Sequence, residues 1–366
     1  MSFSERAPAN RRALPGNTDN LWGLELKLSQ EQSTAAAMDQ WITGIPGRIP
    51  GHVIFVENPE HTNYAKTLAS EGSTILVLNG DEDVEGTVRV SGSFDAAGEE
   101  LLVDGSLSLE IQDYVAIPFV NLVGVTIVRI TTEEDWQAFF DDAREAWTSG
   151  HFIQQLTEAN AVLAERALLT GQNKEDCLLT RLHIAWDGTV LNGPYGTMIG
   201  KVGDGLADLR VRSVSLRPES AVASASPSTQ IRDLLAASPW IPRYLAALDA
   251  WKFIPREERA DTRLVGFGVS LYGSALNEGP PSAVAPFILV KGSQHTLLDA
   301  STGRVFNIGA DAAVIVEALS NMGDLTKAAS VVASVINVSP AVAGEAVQAV
   351  FAHFEQLGID VIGERR

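Results

Sequence analysis

Residues with reactive or metal-binding side chains are spread along the 366-residue chain without a recognised catalytic spacing. The six histidines show neither His-x-x-x-His nor His-x-His spacing, and the single cysteine, Cys177, excludes an intrachain disulfide or a Cys-rich zinc site. His183 and Asp187 could form a His–Asp pair beside a hairpin, but no serine or cysteine nucleophile motif accompanies them. We therefore expect no catalytic residue, no metal site and no cofactor.

Two glycine-rich stretches and one acidic run invite a ligand-binding interpretation. Residues 196–201 spell G-x-x-x-G-K, which is one residue short of a phosphate-binding P-loop and lacks the serine or threonine after the lysine. Gly266, Gly268 and Gly273 depart from the G-x-G-x-x-G dinucleotide pattern. Residues 81–85 are acidic but lack the alternating ligands of a calcium loop. The simpler explanations are a glycine-rich turn for residues 196–201, a strand-like segment for the glycines at 266–273, and a solvated loop for residues 81–85.

The charge balance excludes several classes of partner. The chain has 46 acidic and 27 basic residues, a formal charge of −19. Binding to nucleic acids or to anionic membranes gains affinity from Lys and Arg side chains that neutralise negative charge, so we expect neither as a partner. No apolar run approaches the length of about 18 residues that spans a bilayer, and the first fifteen residues lack the apolar core of a signal peptide. These features predict a cytoplasmic protein.

The first 280 residues are predicted to form an arm followed by a scaffold. Residues 1–20 are polar and indicate a flexible arm. Residues 21–280 indicate a mixed α/β region, either as one body or as two subdomains, 21–170 and 171–280. Nothing in this region identifies an active site, so we expect it to dock partner proteins.

Local patterns within this region predict individual elements. Apolar runs at 52–56 and 74–78, on either side of a short helix, predict a βαβ unit with buried strands. Thr132 can cap a helix that has three carboxylates in its first turn and an aromatic stripe suited to core packing. Further patterns predict a helix over 152–169 and strands over 209–216 and 264–272.

Residues 281–366 carry consistent signals for a small domain. Asp324 and Ser339 are suited to cap helices, with Pro340 at the first helical position and Gly323 and Gly358 at helix ends. The predicted elements are strands at 287–290, 295–298 and 304–308, then helices at 311–322, 325–336 and 340–357. The fold class predicted for the whole chain is therefore α+β, with a sheet-rich α/β N-terminal region and a winged-helix-like C-terminal domain of three strands then three helices.

This C-terminal pattern resembles the PqqD-like domain, also called the RiPP recognition element. The residues that carry the resemblance are Leu298, Asp299 and Gly303 around the turn, Val305, Phe306 and Ile308 on the returning strand, the helix over 312–319, and Leu357, Gly358 and Ile359 at the end. The resemblance covers about a fifth of the chain. The family binds the leader segment of a ribosomally made precursor peptide and delivers it to modifying enzymes.

The resemblance implies a peptide groove between the strand at 304–308 and the third helix. An extended leader would complete the edge of that strand by strand addition. Core packing is the competing explanation for Phe351 and Phe354, and Phe306 and Ile308 are expected to point inward. The candidate peptide-binding residues are Arg304, Val305, Phe306, Asn307, Ile308, Val347, Val350, Phe351 and Phe354.

The order of the regions resembles the recognition partner of daptide-type RiPP biosynthesis. That resemblance implies an oxidoreductase or an aminotransferase as partner enzymes. One alternative is a RiPP-modifying enzyme fused to its own recognition domain. A second alternative is a winged-helix transcriptional regulator, but residues 287–366 contain five basic and eight acidic residues, and the third helix has no Lys or Arg to contact DNA.

Overall fold

The computed structural model describes residues 4–5, 30–80, 84–169, 179–215, 229–272, 282–300 and 302–363. The protein is α+β, as predicted, and its helices and two sheets divide into two compact units. The ten-strand unit comprises the described residues of 26–140 and 160–237. The five-strand unit comprises those of 1–25, 141–159 and 238–366.

The strands account for both sheets. In chain order they are β1 (Ser4–Glu5), β2 (Val53–Val56), β3 (Thr74–Leu78), β4 (Thr87–Gly92), β5 (Glu100–Val103), β6 (Leu107–Asp113), β7 (Val125–Arg129), β8 (Ala161–Leu163), β9 (Arg181–Ile184), β10 (Thr189–Leu191), β11 (Met198–Lys201), β12 (Thr262–Leu264), β13 (Phe287–Lys291), β14 (Gln294–Asp299) and β15 (Arg304–Ile308).

The helices are short to medium in length, and none of those described is both long and apolar enough to cross a membrane. They are α1 (Gln30–Thr43), α2 (Thr62–Leu68), α3 (Glu133–Ser149), α4 (Arg166–Leu169), α5 (Leu206–Ser215), α6 (Thr229–Ala236), α7 (Ile241–Lys252), α8 (Arg256–Arg259), α9 (Ala310–Met322), α10 (Leu325–Val335) and α11 (Pro340–Gln356).

The ten-strand sheet is mixed, with strand order β11-β10-β9-β2-β3-β4-β5-β6-β7-β8. β2 and β3 run parallel and α2 joins them, which confirms the predicted βαβ unit. β2 also pairs in parallel with β9. Ile54 lies in one apolar cluster with Ala65 and Leu68 of α2, whereas Phe55 stacks on Trp41 of α1 with ring centroids 4.1 Å apart. Both faces of β2 are therefore covered, which explains its uninterrupted apolar sequence.

The five-strand sheet has the order β1-β15-β14-β13-β12, and all its pairs are antiparallel. The three predicted strands and three predicted helices of the C-terminal region are present. They share one apolar core, in which Phe306 of β15 lies with Ile315 of α9, Val332 of α10 and Phe354 of α11. The winged-helix arrangement of these elements stays a prediction.

The helix ends of this unit follow from their sequences. Gly323 ends α9 with a left-handed φ of 62°, which costs glycine little. The Asp324 side chain accepts a hydrogen bond from the Lys327 N–H at 2.8 Å. The Ser339 hydroxyl accepts one from the Val342 N–H at 3.3 Å. The caps predicted for α10 and α11 are confirmed.

The five-strand unit begins well before residue 281, the predicted start of the C-terminal domain. β12 adds a fourth strand beside β13. The buried Arg243 of α7 donates hydrogen bonds to the carbonyls of Ser282, Ala285 and Pro286, and its guanidinium lies 3.6 Å from the Phe287 ring centroid. Because these carbonyls lead directly into β13, α7 and β13 belong to one folding unit.

Three local predictions were wrong. Residues 152–169, predicted as a helix, contain a 3-10 turn, β8 and the four-residue α4, because β8 pairs in parallel with β7. Residues 209–216 alternate in polarity like a strand but lie largely in α5, which buries Leu209 and exposes Val211 and Val214. The strand predicted over 264–272 stops at Leu264, because Gly266 and Gly268 have positive φ.

Glu317 of α9 gives the five-strand unit a testable pH dependence. Its side chain is 4% exposed and accepts a hydrogen bond from the Leu271 N–H at 2.8 Å. Burial raises the pKa of Glu317, and the hydrogen bonds from Leu271 and Ser270 only partly oppose this. The native state therefore binds this proton more tightly than the unfolded state. Its contribution to stability is present below the unfolded pKa and is lost as the pH rises through the native pKa.

We predict that Glu317→Gln removes this contribution, so that the free energy of unfolding falls less as the pH rises above the unfolded glutamate pKa of about 4.3. Urea unfolding followed by tryptophan fluorescence between acid and neutral pH would measure it. Glu345→Gln, on an exposed position of α11, is the matched control and should keep the slope of the parent chain. An unchanged slope in the Glu317→Gln chain would contradict the prediction.

Candidate functional site

The candidate site is the outer edge of β15. Side chains alternate along this strand: Phe306 and Ile308 are buried in the core, whereas Val305 is 39% exposed and Asn307 is half-buried. The prediction that Phe306 and Ile308 point inward is confirmed. β14 pairs with one side of β15 from Arg304 to Ile308, which leaves the other side as the place where a further strand can add.

The direction of the backbone groups of β15 follows from the register across the sheet. The Val265 N–H donates to the Ile288 carbonyl at 2.9 Å, which fixes which β13 residues bond toward β12. Antiparallel strands alternate their bonds from residue to residue, and the register continues through β14 without a shift. Arg304, Phe306 and Ile308 consequently bond toward β14. Val305 and Asn307 direct their N–H and C=O groups to the outer edge.

Residues 4–5 of the same chain lie along this outer edge. As β1 they pair antiparallel with β15, with Ser4 opposite Asn307 and Glu5 opposite Phe306. By the alternation just described, Ser4 is the residue that exchanges backbone hydrogen bonds with Asn307, and the groups of Glu5 face away from β15. Most of the predicted arm at residues 1–20 lies outside the described residues.

Arg304 ties the start of β15 to the end of α11. Its Nη1 donates to the Leu357 carbonyl at 2.6 Å, and its guanidinium lies 5.1 Å from the Phe306 ring centroid. Leu357 follows the last turn of α11, where free carbonyls carry partial negative charge that a cation stabilises. Arg304 therefore holds strand and helix together, a role that its position in the sequence did not indicate.

The candidate residues of α11 divide into core and accessible positions. Val347, Val350 and Phe354 are at most 1% exposed and lie in the apolar core of the unit. Phe354 also meets Phe306 edge-to-face, with ring centroids 6.2 Å apart. Phe351 is half-buried against the same core. The structure therefore gives Val347, Val350 and Phe354 a packing role in the core.

A second group of polar residues lies in the ten-strand unit. His183 of β9 lies opposite Phe55 in the sheet and is 1% exposed. Its Nε2 contacts the Glu57 Oε1 at 2.8 Å, and the Trp186 N–H donates to the Glu57 Oε2 at 2.6 Å. Burial raises the pKa of Glu57, but these hydrogen bonds outweigh burial, and the pKa lies below its usual range. The carboxylate partner of His183 is therefore Glu57.

The predicted partner of His183, Asp187, instead accepts a hydrogen bond from the Thr189 N–H at 2.9 Å within the hairpin turn. Glu57 comes directly after β2, and β2 and β9 run parallel, so both side chains reach the same end of the sheet. Sequence reasoning missed Glu57 because 126 residues separate it from His183. The His183 ring is packed beside Phe55 and Trp41, which indicates a structural role.

The other buried charges of the ten-strand unit have internal partners as well. Arg181 donates to the carbonyl of Trp41 at 2.5 Å and pairs with Glu165. Arg129 pairs with Asp113 at 2.5 Å. Burial raises the pKa of Tyr195 to about 12, although Arg129 opposes it, so this phenol holds its proton at neutral pH.

The glycine-rich stretches that invited a ligand-binding interpretation have structural explanations where their residues are described. Residues 192–197 turn from β10 to β11, and the Asn192 side chain accepts the Thr197 N–H at 2.7 Å. Gly268 approaches Ser149 so closely that an added Cβ would lie 2.4 Å from its carbonyl carbon. Across the described residues, no three His, Cys, Asp or Glu side chains cluster as metal ligands. Cys177 and residues 81–83 lie outside the described ranges.

The chain was compared with known protein families, curated proteins and solved structures, and no match was found.

The division of α11 into core and accessible residues predicts two different mutational outcomes. Phe354→Ala deletes a fully buried ring and should lower the free energy of unfolding by about 3–5 kcal/mol. Phe351→Ala, one helical turn earlier in α11, is the matched control. It should cost clearly less because Phe351 is already partly exposed to water. Chemical denaturation of both variants checks this, and equal losses would contradict the assignment.

Proposed function

We propose that this chain is a non-catalytic recognition protein that binds the leader segment of a ribosomally made precursor peptide and presents it to partner modifying enzymes. The observation that carries the proposal is the outer edge of β15. There the backbone groups of Val305 and Asn307 face outward, and the edge pairs with an extended segment at residues 4–5. An edge of this kind recognises peptides by strand addition, in which main-chain hydrogen bonds supply affinity.

Selectivity then depends on side chains beside the edge. Val305 is exposed, and Asn307 and Phe351 are half-buried, so all three offer contact area to a bound peptide. Val305 and Phe351 contribute apolar area, whereas the Asn307 amide can both donate and accept hydrogen bonds. This mixture suits an extended peptide with alternating side chains better than a helical ligand.

The resemblance of residues 281–366 to the PqqD-like domain supports the same proposal, because that family binds leader peptides. If the pathway is of the daptide type, the partners are an oxidoreductase or an aminotransferase. The ten-strand unit would then contact these enzymes. The described buried side chains of Arg181, Arg129 and His183 each contact a carboxylate of the same unit.

A DNA-binding regulator is the less favoured function. The helix α11, which would enter the major groove of DNA in a winged-helix regulator, contains no Lys or Arg. Three of its apolar side chains, those of Val347, Val350 and Phe354, are also committed to the core. Phosphate and guanine contacts would therefore have no cation on this helix.

We predict that Asn307→Pro weakens leader binding by about 2- to 12-fold, since it removes one outward N–H whose hydrogen bond is worth about 0.5–1.5 kcal/mol and leaves a peptide carbonyl unpaired. Proline is tolerated on an edge strand where the missing N–H faces away from its neighbour. Isothermal titration with a synthetic leader peptide of a ribosomally made precursor would measure the loss.

Asn307→Ala is the matched control, because it removes the amide side chain and keeps the backbone N–H. We expect it to retain most of the affinity. Equal affinity of the proline variant and the parent chain would rule out strand addition at this edge. A larger loss with alanine than with proline would indicate that the side chain, and not the backbone, binds the peptide.

A further inference from the structure

The edge that a leader peptide would use is the edge that residues 4–5 occupy. Ser4 lies opposite Asn307, one of the two residues whose backbone groups face outward. A second extended peptide cannot pair with the Asn307 N–H and C=O while Ser4 holds them, because each group has one position in the plane of the sheet. Pairing of β15 with its own N-terminus and with another peptide are therefore mutually exclusive.

The described part of this contact comprises two residues, Ser4 and Glu5. By the alternation of the sheet, Ser4 is the one of these two that bonds to β15. A ligand that pairs with both Val305 and Asn307 would use one outward-facing residue more than Ser4 does.

Because it is covalently connected, an N-terminal segment can occupy the edge even when the same segment binds weakly as a free peptide. A segment tethered in the same chain meets its site at an effective concentration on the order of 1 mM. If the free segment binds the edge with a dissociation constant of about 0.1–1 mM, the tethered one lowers the apparent affinity of a competing peptide by about 2- to 11-fold. Weak pairing is thus sufficient to exclude weak or non-specific strands while still yielding to a good ligand.

We propose that the N-terminal segment of this chain is an autoinhibitory strand that covers the peptide-binding edge of β15 and is displaced by the peptide ligand. This inference rests on the proposed function insofar as it names the ligand. Its physical content is that one edge accepts either β1 or an external strand. The ligand would take the place of Ser4 and run antiparallel to β15, as β1 does.

The first test measures occupancy of the edge without any ligand. Hydrogen–deuterium exchange of the fragment containing residues 304–308 is compared in the parent chain, in Ser4→Pro and in Glu5→Pro. Ser4→Pro removes the N–H that bonds to Asn307, whereas Glu5→Pro alters a residue whose groups face away from β15. We expect faster exchange at Asn307 in Ser4→Pro only. Equal exchange in all three chains would overturn the proposal.

The second test measures competition with a defined probe, a synthetic peptide of residues 1–12, MSFSERAPANRR. It is titrated into the chain lacking residues 1–20, into the parent chain and into Ser4→Pro and Glu5→Pro, with binding followed by NMR. We expect equal binding to the truncated chain and to Ser4→Pro, and weaker binding when Asn307→Pro is added to the truncated chain. The parent chain and Glu5→Pro should bind the probe about 2- to 11-fold more weakly than the truncated chain does. Equal binding to the parent and truncated chains, or no binding to the truncated chain, would contradict autoinhibition.

The two tests separate this inference from the proposed function. If the probe behaves as expected but the precursor leader binds neither the parent nor the truncated chain, the autoinhibitory strand stands and leader recognition fails. If the leader binds the parent and truncated chains equally, and exchange at 304–308 is unchanged by Ser4→Pro, leader recognition stands and the autoinhibitory strand fails.

Discussion

Burial of Phe306 and Ile308 is the interaction on which the site depends. Once these two side chains face the core, the period of two along a strand places Val305 and Asn307 on the opposite face. The backbone N–H and C=O groups alternate with the same period, so those of Val305 and Asn307 point to the outer edge. A slip of one residue would exchange both sets at once. Arg304, bonded to the carbonyl that follows α11, helps to hold the register against such a slip.

The outer sides of β13 and β15 are both paired in the five-strand sheet. β13 pairs with β12 over three residues, and Gly266 and Gly268, which have positive φ, follow the end of β12. β15 pairs with β1, of which the structure describes Ser4 and Glu5. Exposed strand edges invite unwanted pairing, and proteins usually cover them. The pairing with β1 covers the outward backbone groups of Asn307.

The buried basic side chains of the ten-strand unit have their partners within the same unit. His183, Arg181 and Arg129 are each buried beside a carboxylate. The guanidinium charges of the two arginines would be costly to bury without such a partner. Most of the net charge of the chain lies outside residues 287–366, whose own balance is five basic to eight acidic residues. Strand pairing at β15, by contrast, uses uncharged backbone groups.

The sequence determined the elements whose signals are local. The strands at β13, β14 and β15, the helices after them, and the caps at Asp324 and Ser339 follow from alternation, helical spacing and hydrogen bonding within four residues. The βαβ unit around β2 and β3 also followed from apolar runs of the right length. A short run of residues can match both the two-residue period of a strand and the 3.6-residue period of a helix. For this reason residues 209–216 were predicted as a strand but lie largely in α5.

Tertiary structure alone decided what depends on contacts between distant residues. β8 is a strand because β7 lies beside it, although its local sequence favours a helix. Glu57 meets His183, and Ser4 meets Asn307, across separations that no spacing rule addresses. The sequence likewise did not show whether Val347, Val350 and Phe354 lie in the core or on an accessible surface. The packing of the helices places them in the core. The physical reason is the same in each case. A backbone group or an apolar side chain can pair or pack with any suitable partner, and the folded chain decides which partner lies near it. The sequence shows only that such a residue is able to pair or pack.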